Sequence, residues 1–135
     1  MSAEENTRLA QSAYEAFGRG DIAALAAMMA DDIEWVLPGD PNDNPMAGTY
    51  RGKDEVLAWF GRLAEDLDFT AFEPRDFIAQ GDKVVSIVHA EATVRNTGRS
   101  VVNDEAHLWT FKEGKVARFR IYFDTAAAAA AHRVE

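Results

Sequence analysis

Two of the three histidines in this chain stand two residues from a glutamate: His89 with Glu91, and His107 with Glu105. Residues two apart on a β-strand share a face. On the strand-like stretch from Val101 to Phe111, the residues Asn103, Glu105, His107, Trp109 and Phe111 therefore line one side. Val102, Asp104, Ala106, Leu108 and Thr110 line the other. An imidazole exchanges a proton near neutral pH, which suits enolisation, ring closure or hydration, and a neighbouring carboxylate orients and charges it. His107 is the candidate proton-transfer group, with Glu105 or His89 assisting. The plainer role is a core histidine and a structural pair that satisfy one another's hydrogen bonds. His89, Glu91 and His107 also contain the donor set of a non-haem iron site. Their spacing is not diagnostic, and neither a metal nor another cofactor is expected.

These side chains need strands to hold them. Lys83 to Arg95 reads as one, and Asn96-Thr97-Gly98 turns the chain into the strand that carries His107. A three-residue loop with glycine in the left-handed position is a common hairpin closure. Centred on Thr97, it sets His89 opposite Glu105, Ile87 opposite His107 and Glu91 opposite Asn103. Val84, Val88, Ala90, Ala92, Ala106 and Leu108 make the other face apolar as well, so both faces need a cover. Helices can supply one cover and a second copy of the chain the other. Glu113-Gly114 makes the next turn, and Arg118 and Arg120 alternate outward from Phe119 and Ile121.

The first half of the chain has helical spacing. Ser2-Ala3-Glu4-Glu5 is a capping box, followed by Leu9, Ala10, Ala13, Tyr14, Ala16 and Phe17; Gly18 and Gly20 end the helix. Asp21 caps a second helix, Ile22 to about Met29, which Asp31-Asp32 closes. Ile33 to Leu37 is a short strand. Pro38 to Pro45 holds three prolines, so it is an irregular surface loop able to cover a pocket mouth. A third helix runs from about Lys53 to Glu65 on the face Val56, Leu57, Trp59, Phe60 and Leu63. Phe69 to Ala79 alternates loosely, and Pro74 marks an edge or a bulge. Thr125 caps a poly-alanine helix from Ala126 to Ala131. The order is helix, helix, strand, helix, then long antiparallel strands. That is an α+β fold, with N-terminal helices packed on a curved sheet, over residues 1–135 as a single domain.

Composition sets the outer bounds. Fourteen basic against 23 acidic side chains give a net charge of −9, which opposes attraction to nucleic acid or an anionic membrane. No apolar run approaches a membrane span, and the acidic, polar start shows no signal peptide. The absence of cysteine removes disulfides and thiolate chemistry. A cytoplasmic location is expected.

Gly20-Asp21, Asp31-Asp32-Ile33-Glu34-Trp35, Gly48-Thr49-Tyr50-Arg51-Gly52, Gly81-Asp82-Lys83-Val84, His107-Leu108-Trp109, Gly114-Lys115-Val116 and Tyr122-Phe123-Asp124-Thr125 together resemble the SnoaL-like branch of the NTF2-like superfamily, near its ketosteroid-isomerase-related members. The resemblance spans nearly the whole chain. It implies a cone-shaped fold with an apolar pocket between sheet and helices, and frequent dimers through the outer face of the sheet. It does not imply one activity. Alignment to ketosteroid isomerase sets that enzyme's base on Leu37, its tyrosine on Ala13, one position from Tyr14, and its acid on His107. Alignment to limonene-epoxide hydrolase sets an Asp-Arg-Asp group on Glu91, His89 and Ile121, and a water-holding pair on Trp35 and Leu37. The resemblance thus keeps the pocket and replaces the best-known catalytic residues.

Within such a pocket, Trp35, Leu37, Tyr50, Trp59, Phe60, Glu91, Trp109, Phe119, Ile121 and Phe123 are the expected substrate-binding residues. An apolar lining with few polar groups suits a small molecule. The expectation is a small-molecule-binding protein, catalytic by cofactor-free acid–base chemistry (isomerisation, cyclisation or hydration) with His107, Glu105 and His89. The alternative is a non-catalytic binding or assembly module. A homodimer through the outer face is expected in either case.

Overall fold

The computed structural model describes residues 2–134. Its elements run α1 (Ala3–Gly18), α2 (Ile22–Ala27), β1 (Met29–Leu37), β2 (Gly48–Arg51), α3 (Lys53–Asp66), β3 (Leu67–Gln80), β4 (Lys83–Val94), β5 (Ser100–Lys112), β6 (Lys115–Tyr122) and α4 (Thr125–His132). The strands form one six-stranded sheet in the order β2-β1-β6-β5-β4-β3. Only the β1–β6 pair is parallel. The fold is α+β, with the helices on one face of the sheet. Among the described residues no helix is long and apolar enough to cross a membrane.

Local chemistry explains the elements that carry the site. In α1 the Ser2 hydroxyl accepts from Glu5 N–H while Glu5 reaches back to Ser2 N–H, the reciprocal capping box. At the other end Gly20 (φ +70°) lets its own N–H reach Phe17 O and Asp21 N–H reach Ala16 O. This is the Schellman closure, which needs a left-handed residue. The buried stripe of α1 is Asn6, Ala10, Ala13 and Ala16. Alanines there let the helix lie close to β3 and β4, and Tyr14 stands beside that stripe.

Several elements differ from the sequence expectation. Helix α2 stops at Ala27, and Asp31 and Asp32 lie inside β1 as exposed strand residues. Their place falls where the β1–β6 register shifts, between Met29 and Glu34. The residues Gly48 to Arg51 form an edge strand, too short to announce itself by alternation. The cap of α4 is Asp124, whose carboxylate accepts from Ala127 N–H at 3.0 Å, so Thr125 is the first helical residue. Strand β3 carries two register shifts, one between Phe69 and Ala71 and one between Pro74 and Asp76. Each bulge adds a residue and reverses the alternation. That is why Phe69, Phe72 and Phe77 all pack inward despite their spacing.

The largest correction concerns the β4–β5 hairpin. Val94 N–H donates to Arg99 O and Gly98 N–H donates to Val94 O, both at 2.8 Å. The loop therefore has four residues, Arg95 to Gly98, with Gly98 at φ +76° closing it. One extra loop residue moves the register by one, which changes the facing partner of every side chain. His89 pairs with Asp104, Ser86 with His107 and Glu91 with Val102. His89 does not meet Glu105.

The loop after β1 is anchored rather than loose. Met46 O accepts from Trp59 Nε1–H at 3.1 Å and from Tyr50 O–H at 2.9 Å, and Asn44, Met46 and Ala47 are buried. Removing the α4 cap tests how the far end of the molecule is held. Asp124→Ala should lower stability by about 1 kcal/mol in urea unfolding; an unchanged midpoint would show that the cap contributes nothing.

Candidate functional site

Between the sheet and helices α1, α3 and α4 lies a cavity of about 120 Å³. All three tryptophans of the chain, Trp35, Trp59 and Trp109, stand in its wall. Leu37, Phe60, Phe119, Ile121 and Phe123 join them. Trp35 stacks on Phe119 with ring centroids 3.9 Å apart. Phe119 in turn packs edge-on against His107 at 5.1 Å and Trp109 at 4.7 Å. Phe17, Phe69 and Phe72 also line the cavity. The two from β3 were hidden from sequence by its bulges, and Phe17 lay on the apolar face of α1.

Glu105 and His107 face this cavity from β5. They are bonded to one another, His107 Nε2 to Glu105 Oε1 at 2.7 Å. His107 is buried, with 3% of its surface exposed. Its other nitrogen, Nδ1, lies 2.6 Å from the hydroxyl of Tyr14. The same hydroxyl lies 2.5 Å from Ser86 Oγ, and Trp109 Nε1–H donates to Ser86 Oγ at 2.9 Å and to Tyr14 Oη at 3.2 Å. Burial raises the Tyr14 phenol well above its ordinary value, against the hydrogen bonds from Ser86 and Trp109, so the phenol stays neutral and keeps its proton.

A proton arrangement that runs from Trp109 to Glu105 satisfies every member of this chain. Indole N–H can only donate and an ionised carboxylate can only accept. Trp109 donates to Ser86, Ser86 to Tyr14, and Tyr14 to His107 Nδ1. His107 donates from Nε2 to Glu105. In this arrangement His107 is a neutral imidazole with both nitrogens occupied. The second carboxylate oxygen of Glu105 has no hydrogen-bond partner among the described residues.

Tyr14 and Ser86 were not among the sequence candidates for the site. Tyr14 lies one helical position from Ala13, where the alignment to ketosteroid isomerase sets a tyrosine. It is Tyr14, not residue 13, that α1 turns toward His107, while Ala13 packs into the cavity wall. Ser86 is fully buried opposite His107, and only the corrected register puts it there. A second polar pair in the wall, His132 and Asp66, also escaped notice. His132 Nε2 lies 2.7 Å from Asp66 Oδ2 and its Nδ1 donates to Ala128 O at 2.8 Å. This pair ties α4 to the end of α3.

Three sequence candidates lie elsewhere: His89, Glu91 and Tyr50. His89 is on the outer face of the sheet, with Nδ1 2.7 Å from Asp104 and Nε2 2.9 Å from Glu91. The pleat separates it from His107, so the two histidines cannot share an ion or a substrate. Tyr50 directs its hydroxyl to Met46 O and braces the loop before β2. Arg118 also faces outward, bonded to Glu34 at 3.1 Å, and Arg120 lies over the Tyr122 ring.

With fold and cavity in view, the comparisons with known proteins agree. The SnoaL-like domain family matches residues 10–119, and the chain belongs to that family. Its structure is NTF2-like. A crystal structure of an NTF2-like protein from Burkholderia xenovorans LB400 superposes with a TM-score of 0.90 and 36% identity, covering 98% of this chain and 99% of that one. TerC, solved as a co-crystal with polyporic acid, gives a TM-score of 0.83 and 30% identity over 95% of this chain and 98% of that one. An uncharacterised protein of Mycobacterium bovis is 31% identical over 130 residues, 94% of this chain and 95% of its own.

Two outcomes test this geometry. Tyr14→Phe removes the hydroxyl that serves Ser86, His107 and Trp109, and should cost about 1–3 kcal/mol in chemical denaturation; a neutral result would mean that the chain of bonds is not formed. On the outer face, Asp104 and then Glu91 raise the pKa of His89 above the ordinary 6.5. That contribution to stability is full below the unfolded value and is lost as pH rises through the raised one. A proton NMR titration should place His89 above 6.5, with Asp104→Asn bringing it down. A midpoint at or below 6.5 in the unsubstituted protein would contradict the bridge.

Proposed function

We propose that the cavity binds a small, largely apolar molecule and that the Glu105–His107 pair exchanges a proton with it. The carrying observation is Glu105 in the wall of a largely aromatic cavity, with one carboxylate oxygen bonded to His107 and the other without a partner among the described residues. A carboxylate in such a setting is well placed for general acid–base work. Tyr14 and Ser86 position the pair, since neither offers a free hydrogen bond to a ligand. Size narrows the class of ligand. An engineered cavity of ~150 Å³ holds benzene, so about 120 Å³ suits a single ring. A polycyclic molecule would need α4 or the loop before β2 to move. Isomerisation and cyclisation through an enol or enolate begin with the proton exchange proposed here. TerC, with polyporic acid as its co-crystallised ligand, supports small-molecule binding on this fold.

The same reading includes a homodimer. The helices leave the outer face of the sheet uncovered, and Val102 there is 57% exposed and Tyr122 48%. Exposed apolar side chains on an unpartnered sheet face suit an interface. Light scattering should give a mass near twice 14.9 kDa; the monomer mass at micromolar concentration would remove the dimer from the proposal.

The proton-transfer claim is tested with cyclohexanone, a one-ring carbon acid, by following deuterium incorporation beside its carbonyl in D₂O. The protein should accelerate exchange, and Glu105→Gln should reduce the acceleration by ~10²–10⁴-fold. Binding is followed independently by fluorescence of the three wall tryptophans. Binding without any acceleration would favour the non-catalytic module over the enzyme.

A further inference from the structure

The charges in the cavity wall do not balance. No lysine or arginine lines the cavity, while two carboxylates do, Asp66 and Glu105. Asp66 is answered locally. His132 Nδ1 lies 2.8 Å from Ala128 O, which can only accept, so that nitrogen carries a proton. Its Nε2 lies 2.7 Å from Asp66 Oδ2 and donates there, which makes the ring an imidazolium beside an ionised carboxylate. Glu105 has no such partner. Its histidine accepts from Tyr14 at Nδ1 and is neutral, so His107 holds the Glu105 carboxylate without cancelling its charge. Nor is Glu105 sealed away. Its side chain is 15% exposed, and among the described residues the buried polar atoms left without a partner belong to Asn6, Trp35 and Arg120.

The rest of the wall favours the same sign of ligand charge. It holds six phenylalanines, three tryptophans and one tyrosine. The face of an aromatic ring is negative and attracts a cation, the more so where water is excluded. Three of these rings stand round the histidine that Glu105 bonds: Phe119 at 5.1 Å, Tyr14 at 5.8 Å and Phe72 at 6.4 Å. A charge acts over several ångströms in such a medium, so a ligand in the cavity feels Glu105 without a direct bond to it. An anion would be repelled. A neutral ring would leave the carboxylate uncompensated, which is costly away from water. The net charge of −9 draws cations toward the molecule as a whole.

We infer that the cavity selects a protonated amine carried on a single apolar ring, with the ammonium group on the Glu105 side and the ring among the aromatic side chains. This rests on the cavity being a ligand site, as proposed above. It makes an N–H proton of the amine the one available to the Glu105–His107 pair, and it names the ligand's charge where cavity size named only its ring.

Benzylamine and benzyl alcohol are a matched pair for the test, equal in ring and chain length. At neutral pH the amine is a cation and the alcohol is neutral. Each is titrated into the protein while the fluorescence of the wall tryptophans is followed, and each is then competed against the other. Benzylamine should bind at least ~tenfold more tightly and should displace benzyl alcohol. Glu105→Gln should abolish that preference while leaving the affinity for benzyl alcohol nearly unchanged. Equal or tighter binding of benzyl alcohol overturns the amine inference and leaves the cavity reading standing. A preference for benzylamine that survives Glu105→Gln, or benzylamine that does not displace benzyl alcohol, puts the cation elsewhere and overturns it too. If neither compound changes the tryptophan fluorescence, the cavity reading fails and this inference with it. Affinity and displacement are read on the unsubstituted protein, so they decide the matter even if Glu105→Gln does not fold.

Discussion

A phenol, an imidazole and a carboxylate are packed against one another behind aromatic walls, and each must be satisfied by its neighbour. Burying any one of them alone would cost several kcal/mol by the usual measures of polar desolvation. Joined from Trp109 through Ser86, Tyr14 and His107 to Glu105, they leave only the far oxygen of Glu105 unpaired. Much of the architecture serves this chain of bonds. Helix α1 lies low on the sheet because its buried stripe is alanine, and so delivers Tyr14. The hairpin register sets Ser86 opposite His107. The pleat of β5 points Glu105, His107 and Trp109 to the same side.

The sheet separates two chemistries that look alike in sequence. His107 and His89 each stand two residues from a glutamate, yet they face opposite ways. Inside, His107 bonds one carboxylate and one phenol within an apolar cavity. Outside, His89 bridges Asp104 and Glu91 beside solvent. The inner pair lines the cavity, with one carboxylate oxygen of Glu105 bonded to His107. The outer cluster has its imidazole nitrogens fully occupied and lies on the face that the helices leave uncovered.

Much of this was legible in the chain. Strand alternation put Glu105, His107 and Trp109 on one face, and the Ser2–Glu5 and Gly18–Asp21 signals bounded α1. Those features depend on local geometry, which a local pattern carries. The hairpin pairing was not legible. A loop of Asn96-Thr97-Gly98 and one that also includes Arg95 both use Gly98, and only the strand pairing chooses between them. The bulges at Thr70 and Arg75 broke the period that would have marked Phe69, Phe72 and Phe77 as inward. Tyr14 was missed for another reason. Its contact with His107 is set by how α1 is rotated on the sheet, a property of packing that spans 93 positions of sequence.

The role given to Glu105 depends on which nitrogen of His107 carries the proton. If Tyr14 donates to Nδ1 and Nε2 donates to Glu105, the imidazole supports the carboxylate and leaves it the reactive group. If the proton sits on Nδ1, Nε2 accepts from a protonated Glu105, and the chain of donors runs the other way. Long-range ¹H–¹⁵N correlation of the His107 ring at neutral pH distinguishes the two directly. The expected spectrum shows a neutral ring protonated at Nε2 with an unprotonated Nδ1; a neutral ring protonated at Nδ1 would contradict the account.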